Sequence, residues 1–324
     1  MKTKKLYIIG NGFDLAHKLP TSYEDFYEWL NGTSYVQENP TNDDHFLAAM
    51  IDIFKFSEIN GKSIKLWSDF ENALGHLDIE SFIHYVANEY TDEENVAELG
   101  LLSEQVYAYL NYISKPDALD RIQERFAAWV RDLPQYEDNY PIYNIDKDGL
   151  FLTFNYTDTL EKVYRINPNN VLHIHGQASD PNANIVVGHR TKYNTGKYAK
   201  TEEKLFGIDA DIFPLVVNAM NGLRKPIEEI IADNHQWFDN LVKQNVTEIY
   251  LYGLSLGEID DNYFMEIHRL LPNIRWNFAV YAPGERTQKS NVGKINDFIK
   301  RIGIGKEKCF AFNQDPLFNE EIEL

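Results

Sequence analysis

Cysteine is almost missing from this chain of 324 residues, with Cys309 the single one. That excludes an internal disulfide framework and any structural zinc site built on several thiolates. Cys309 is also a poor nucleophile, because it lies in CFAF, which reads as a late strand. Long apolar runs are missing too. The basic start MKTKK is followed only by the apolar run Leu6 to Ile9 before glycine interrupts it, too short for a signal peptide or a membrane span. A cytoplasmic protein with no membrane partner is expected. Positive charge is scarce: 31 Lys and Arg stand against 50 Asp and Glu, a net charge of −19. Such a surface repels a polyphosphate backbone, so nucleic acid is an unlikely partner without a local basic patch. What is abundant is core material. Hydrophobic residues make up 44% and aromatics 14%, which excludes a disordered chain and suffices for one large domain or two smaller ones.

Residues 24 to 134 carry little strand signal but several amphipathic stretches. Ile79, Phe82, Ile83, Val86 and Tyr90 fall at helical spacing, as do Leu119, Ile122, Phe126, Trp129, Val130 and Leu133 before Pro134. The acidic run around Asp92, Glu93, Glu94 and Glu98 reads as a solvated face. From about 149 the pattern changes to short apolar runs, LFLTFNY, VLHIHG, NIVVGH, EIYLYGLSL and IRWNFAVYA. Helical segments at about 226 to 243, 260 to 271 and 287 to 302 lie among or after them. Alternating strands and helices predict an α/β fold with a mostly parallel sheet, completed by a first strand at residues 5 to 10. The expectation is a single domain over 1 to 324, with 24 to 134 a large helical insertion between the first and second strands. No internal repeat or low-complexity linker is present.

In LYIIGNGFDLAHKLPTSY, from Leu6 to Tyr23, an apolar run breaks at Gly10, Asn11 and Gly12 and resumes with helical spacing through Phe13 and Asp14. Glycines let backbone approach a ligand, and the amides opening a helix favour an anion such as phosphate. A nucleotide is therefore the first ligand to consider. The third glycine of the full dinucleotide fingerprint is absent, and a plain tight turn explains the segment equally. Ligands of open parallel sheets bind beyond the carboxyl ends of the strands. The residues expected there are Asn11, Asn155, His175, His189 and Ser255. Asn155 also suits a helix cap, as do Thr157 and Asp158. His173 and His175, two apart on a strand, are expected on one face. A metal pair there lacks an evident third ligand. His175, beside the turn at Gly176, suits general base work, because an imidazole is largely neutral near pH 7. His173 reads equally as a core histidine, and His189 as either core or the rim of the site. The stretch 189 to 204 supplies Arg190, Lys192, Lys197 and Lys200, a lid over a pyrophosphate or a solvated loop.

GNGFDLAHKLPTSY, LWSDFE at 66 to 71, FNYTDTLE at 154 to 161, HIHG at 173 to 176 and YGLSLGEID at 252 to 260 together resemble the AbiH family of bacterial abortive-infection proteins. A broader similarity is to sirtuin-like, Rossmann-type NAD-binding domains. These carry in order a Gly-x-Gly loop, an Asn at a strand end, a His-Gly and a Gly-Thr-Ser turn, matched here by Gly10-Asn11-Gly12, Asn155, His175-Gly176 and Gly253-Leu254-Ser255. The resemblance implies that the Gly10 and Gly12 amides hold the NAD pyrophosphate, with Asn11, Phe13 and Asp14 alongside. Gly253 and Ser255 would approach the adenosine half, Asn155 would hold the nicotinamide ribose and its attacking group, and His175 would be the base. Sirtuin deacylases carry a four-cysteine zinc module after the His-Gly, which a chain with one cysteine does not have. Leu254 replaces the usual threonine.

Breaking the nicotinamide to ribose bond of NAD needs fixed dipoles around a sugar that becomes positive and a placed nucleophile, and it needs no metal, because the leaving group already bears positive charge. The implied function is an antiphage effector, an NAD glycohydrolase that takes NAD as substrate and depletes it. The alternative is a non-catalytic sensor of NAD or an ADP-ribose-like nucleotide acting through a partner. A phage-derived trigger and a homo-oligomer are expected partners, with the helical block as the sensing or assembly surface.

Overall fold

The computed structural model of the chain describes residues 3–22, 25–26, 28–29, 58–59, 62–63, 71, 75–82, 118–134, 140–193, 208–315 and 320–324. They fall into two compact units, one of residues 1–21, 127–185 and 226–324, the other of residues 22–126 and 186–225.

The first unit is built on a seven-stranded sheet. In chain order its strands are β1 (Lys4–Ile9), β2 (Leu150–Thr153), β3 (Val171–His173), β4 (Val246–Tyr252), β5 (Arg275–Val280), β6 (Cys309–Asn313) and β7 (Glu321–Ile322). They lie side by side as β3-β2-β1-β4-β5-β6-β7, with every neighbouring pair parallel except the last. The fold is thus α/β with a mostly parallel sheet, as the alternation of patterns predicts. Leu6 to Ile9 and all of Leu150–Thr153 are buried, the signature of central strands covered on both faces.

Its helices are α1 (Asn11–Ala16), α2 (Thr159–Lys162), α3 (Ile227–Asp233), α4 (His235–Lys243), α5 (Asp261–Leu270) and α6 (Glu285–Ile302). The segment expected as one helix over 226 to 243 is two, parted at Asn234. In α6 the buried residues Ile295, Phe298, Ile299 and Ile302 recur at helical spacing. Phe298 meets Phe264 of α5 and Trp276 and Phe278 of β5 edge-on. A buried aromatic of this kind contributes about 1.5–3 kcal/mol through the apolar area it removes from water. A second cluster gathers Tyr7, Phe13, Tyr143, Phe151, Tyr164 and Tyr252. Its phenols find partners: Tyr7 Oη accepts from Asp146 N (2.9 Å), and Tyr164 Oη from Tyr143 N (3.2 Å).

In the second unit the short strands Glu58–Ile59 and Lys62–Ser63 pair antiparallel, inside the block expected to be helical. Elsewhere in that block, residues 25–26, 28–29, 71 and 79–82 are helical, as is Ala118–Asp132, whose last residues from Ala127 on belong to the first unit. Apart from 75–78 and 133–134, the remainder of 24 to 134 lies outside the described residues, including Ile83, Val86 and Tyr90 and the acidic run from Asp92 to Glu98. So do residues 194–207, with Lys197 and Lys200. A helix over Ile208–Gly222 completes the described part of the unit. The expected strand NIVVGH is not formed: the segment makes only one bridge, His189 to Arg224, with His189 N donating to Leu223 O and Lys225 N to His189 O.

Candidate functional site

The register of the sheet brings four strand ends level. Ile9 pairs with Thr153 on one side and Tyr252 on the other, and Thr153 pairs with His173. The residues that follow, Gly10, Phe154 and Asn155, Ile174 and Gly253, therefore leave the sheet along one edge. The strand order reverses between β1 and β4: β1 leads on to β2 and β3 on one side, while β4 to β6 build outward on the other. Such a switch point at the carboxyl edge is where open parallel sheets place their ligands.

The floor of the switch point is closed by backbone against backbone. Gly10 N donates to Tyr252 O (2.9 Å), Gly12 N to Gly253 O (2.8 Å) and Phe13 N to Gly10 O (2.9 Å). A Cβ on Gly12 would lie 2.8 Å from Gly253 Cα, and one on Gly253, whose φ is +66°, would lie 2.1 Å from Phe13 N. Glycine is required here because two chain segments touch. The Gly10 and Gly12 amides expected to hold a pyrophosphate are thus engaged by the protein's own carbonyls. The ring of Phe13 is fully buried among His17, Tyr143, Tyr164 and Tyr252, where it packs the core. Asn11 donates from Nδ2 to Thr21 O (2.6 Å), which fastens the chain leaving α1. Helix α1 is only six residues long.

Asn155 is buried and donates from Nδ2 to Gly10 O (3.1 Å), tying the end of β2 to the glycine loop. Below it lies Asp14, 1% exposed, whose oxygens accept from Thr157 Oγ1 (2.6 Å) and Thr159 Oγ1 (2.7 Å). Burial pushes the Asp14 carboxyl up to about 6, against the opposing pull of these hydrogen bonds and of Asn155. Neither Thr157 nor Thr159 was singled out as an acid's partner in the sequence, although both stand in FNYTDTLE.

His173 and His175 do not share a face. The strand stops at His173 and the chain turns at once, with Gly176 N donating to His173 O (3.1 Å) and Gly176 at φ +88°. His173 places Nε2 3.0 Å from Glu161 Oε1 and Nδ1 3.2 Å from Asn155 O. His175, 3% exposed, instead lies against the rings of Phe154 (5.2 Å between centroids), Tyr263 (5.8 Å) and Tyr156 (6.2 Å). Its Nε2 is 3.9 Å from Asp260 Oδ1. Gly176 serves the turn, where a Cβ would strike Asn184 O at 2.4 Å.

Ser255 is exposed, two residues beyond Gly253. Its loop is held at the next residue: Leu256, at φ +56°, has its carbonyl bound by Arg301 Nη2 (2.7 Å), and Arg301 also donates to both oxygens of Asp261. The edge of the first unit thus brings together Gly10, Asn11, Gly12, Asp14, Asn155, His175, Gly176, Gly253 and Ser255. His189 belongs to the second unit, fully buried, with Nε2 2.8 Å from Met220 O and its basicity lowered to about 4 by burial. Lys225 is also buried in that unit, 2.6 Å from Glu71 Oε1. Cys309 opens β6, and burial pushes its thiol up to about 11. Among the described residues no group of three or more His, Cys, Asp or Glu is placed to hold a metal ion, and no helix is long and apolar enough to cross a membrane.

Fold and edge together define an α/β protein with a mostly parallel sheet, whose polar side chains from separate segments meet at the carboxyl ends of four adjacent strands. More particularly, the chain belongs to the family described as bacteriophage abortive infection AbiH, whose model matches residues 6–280. Neither the curated proteins nor the solved structures yield a match.

Proposed function

We propose that this chain is an antiphage abortive-infection effector that binds NAD at the carboxyl edge of its sheet and cleaves the nicotinamide to ribose bond. The observation that carries the reading is the strand order. Counted in chain order, the six parallel strands run 3-2-1-4-5-6, the order of doubly wound Rossmann-type dinucleotide-binding sheets. A glycine loop follows the first strand, and a sirtuin-like set of Asn155, His175 and Ser255 stands on the same edge.

In this reading the C1′–N1 bond breaks with its electron pair passing to the nicotinamide nitrogen, and a water oxygen bonds to C1′. His175 takes the proton that water gives up, and Asn155, anchored through Nδ2 to Gly10 O, orients the water. The engaged Gly10 and Gly12 amides set the loop's shape and leave the pyrophosphate to other groups of the edge. Purified protein incubated with NAD, alone and with lysate from infected cells, should release nicotinamide. Asn155→Ala and His175→Ala should each lower that release by about a hundredfold or more while remaining folded. Turnover equal to wild type in both variants would discard their roles.

The occupied Gly10 and Gly12 amides and the occupied Asn155 Nδ2 favour a second reading, a sensor that binds NAD or an ADP-ribose-like nucleotide without turnover. Heat of binding with no nicotinamide released, under both conditions, would select it.

A further inference from the structure

We propose that Asp260 is a positioning residue for His175, holding its Nε2–H so that Nδ1 is the nitrogen that accepts a proton. The inference rests on the NAD-cleaving reading for its chemistry. Its geometry comes from two segments far apart in the chain. His175 leaves the end of β3, while Asp260 stands at the N-cap of α5, with no hydrogen bond from its side chain to that helix. Oδ1 of Asp260 lies 3.9 Å from His175 Nε2, with the imidazole 3% exposed and the carboxylate about one-quarter exposed.

The surroundings of His175 make this carboxylate matter. Among the described residues, the rings packed on the imidazole are those of Phe154 from the end of β2, Tyr156 just beyond it and Tyr263 from α5. Phenylalanine cannot balance charge, and the two phenols are neutral near pH 7. When His175 takes the proton from the attacking water it becomes a cation in a water-poor aromatic box, which is costly without a facing anion. Among the described residues Asp260 places a carboxylate toward it. Drawn into hydrogen-bond range, the same contact would fix the tautomer, because a carboxylate accepts only from the protonated nitrogen. Closure of about 1 Å would bring the pair to hydrogen-bond range, and contacts of this kind are often long before substrate is bound.

Capping of α5 does not account for Asp260. As a plain helix cap it would accept from an amide of α5, and no such bond is made. The neighbouring Asp261 is already committed to Arg301.

The test uses the full chain and the variants Asp260→Asn, Asp260→Ser and His175→Ala. Nicotinamide release should fall about a hundredfold in Asp260→Asn with KM changed by less than about threefold, as for loss of an interaction made only in the transition state. The double variant with His175→Ala should be no slower than His175→Ala alone. The imidazole of His175, followed by NMR without substrate, should titrate at a midpoint lower by about 0.5 pH or more in both Asp260 variants. An unmoved midpoint in both variants would overturn the inference whether or not NAD is cleaved. So would losses that multiply in the double variant. Absence of nicotinamide release from wild type under every condition would sink the NAD-cleaving reading, and the chemical role of the pair with it, while a lowered midpoint would still support the contact.

Discussion

Asp14 is the residue at which burial and charge conflict most directly. Its carboxyl lies wholly inside the protein, and its raised value of about 6 stands above the ordinary 3.8. The folded state therefore holds the proton more tightly than the unfolded chain between these two values. Below about pH 4 both states are protonated and Asp14 costs nothing. As pH rises from about 4 to 6 the unfolded chain releases this proton while the folded protein keeps it, so stability falls by on the order of 3 kcal/mol and levels off above about 6, where both states are ionised. Asp14→Asn has no such titration. Urea unfolding of wild type and Asp14→Asn from pH 4 to 7 should give a stability difference that drifts in the variant's favour by that order. A difference constant over the whole range would mean that Asp14 is ionised throughout, with the hydroxyls of Thr157 and Thr159 fully offsetting its burial.

The strands show how far elements are legible from residues alone. Leu6 to Ile9, Leu150–Thr153 and the run from Ile249 to Tyr252 announce themselves because a strand covered on both faces must be apolar at nearly every position. The glycine loop and Asn155 are legible as strand-end residues for the same reason. Three other features were not. Val171–His173 ends before His175 because the turn into Gly176 begins at Ile174, and alternation of apolar residues carries no mark of that. The helix Ile208–Gly222 contains Pro214, which locally argues against a helix. The engagement of Gly12 with Gly253 depends on strands some 240 residues apart lying side by side, a pairing that no local pattern contains. That engagement carries its own prediction. Gly253→Ala places a methyl against the Phe13 and Gly12 backbone in a left-handed conformation, and should cost about 2–4 kcal/mol of stability from overpacking and strain together. Gly257→Ala, where a Cβ meets only Ser255 Oγ at 3.7 Å, should be near neutral. Similar unfolding midpoints for the two variants would show that the glycine loop and the β4 turn can part without penalty.

For the molecule as a whole, an enzyme that depletes NAD has to be restrained until infection, and Asn155 and His175, which carry the proposed chemistry, both belong to the first unit. On the proposed reading that part of the chain bears the surface for self-association or for a phage-derived trigger, since closed homo-oligomers are the commonest assemblies of soluble chains. Net charge bears on this directly. At −19, copies repel one another at long range, so association has to rest on a local surface and should strengthen as salt screens the repulsion. Asp120 and Glu124, one helical turn apart on Ala118–Asp132, are exposed. Asp120→Lys with Glu124→Lys, and similar reversals of exposed residues in 22–126, should alter phage protection or growth arrest while leaving nicotinamide release per active molecule within about twofold, as expected for changes at exposed side chains. Mass in solution, followed against protein concentration and salt, tests the assembly itself. A monomer at every concentration and salt, with protection unchanged by reversals throughout 22–126, would assign that part of the chain a purely structural role and leave restraint to be sought at the carboxyl edge.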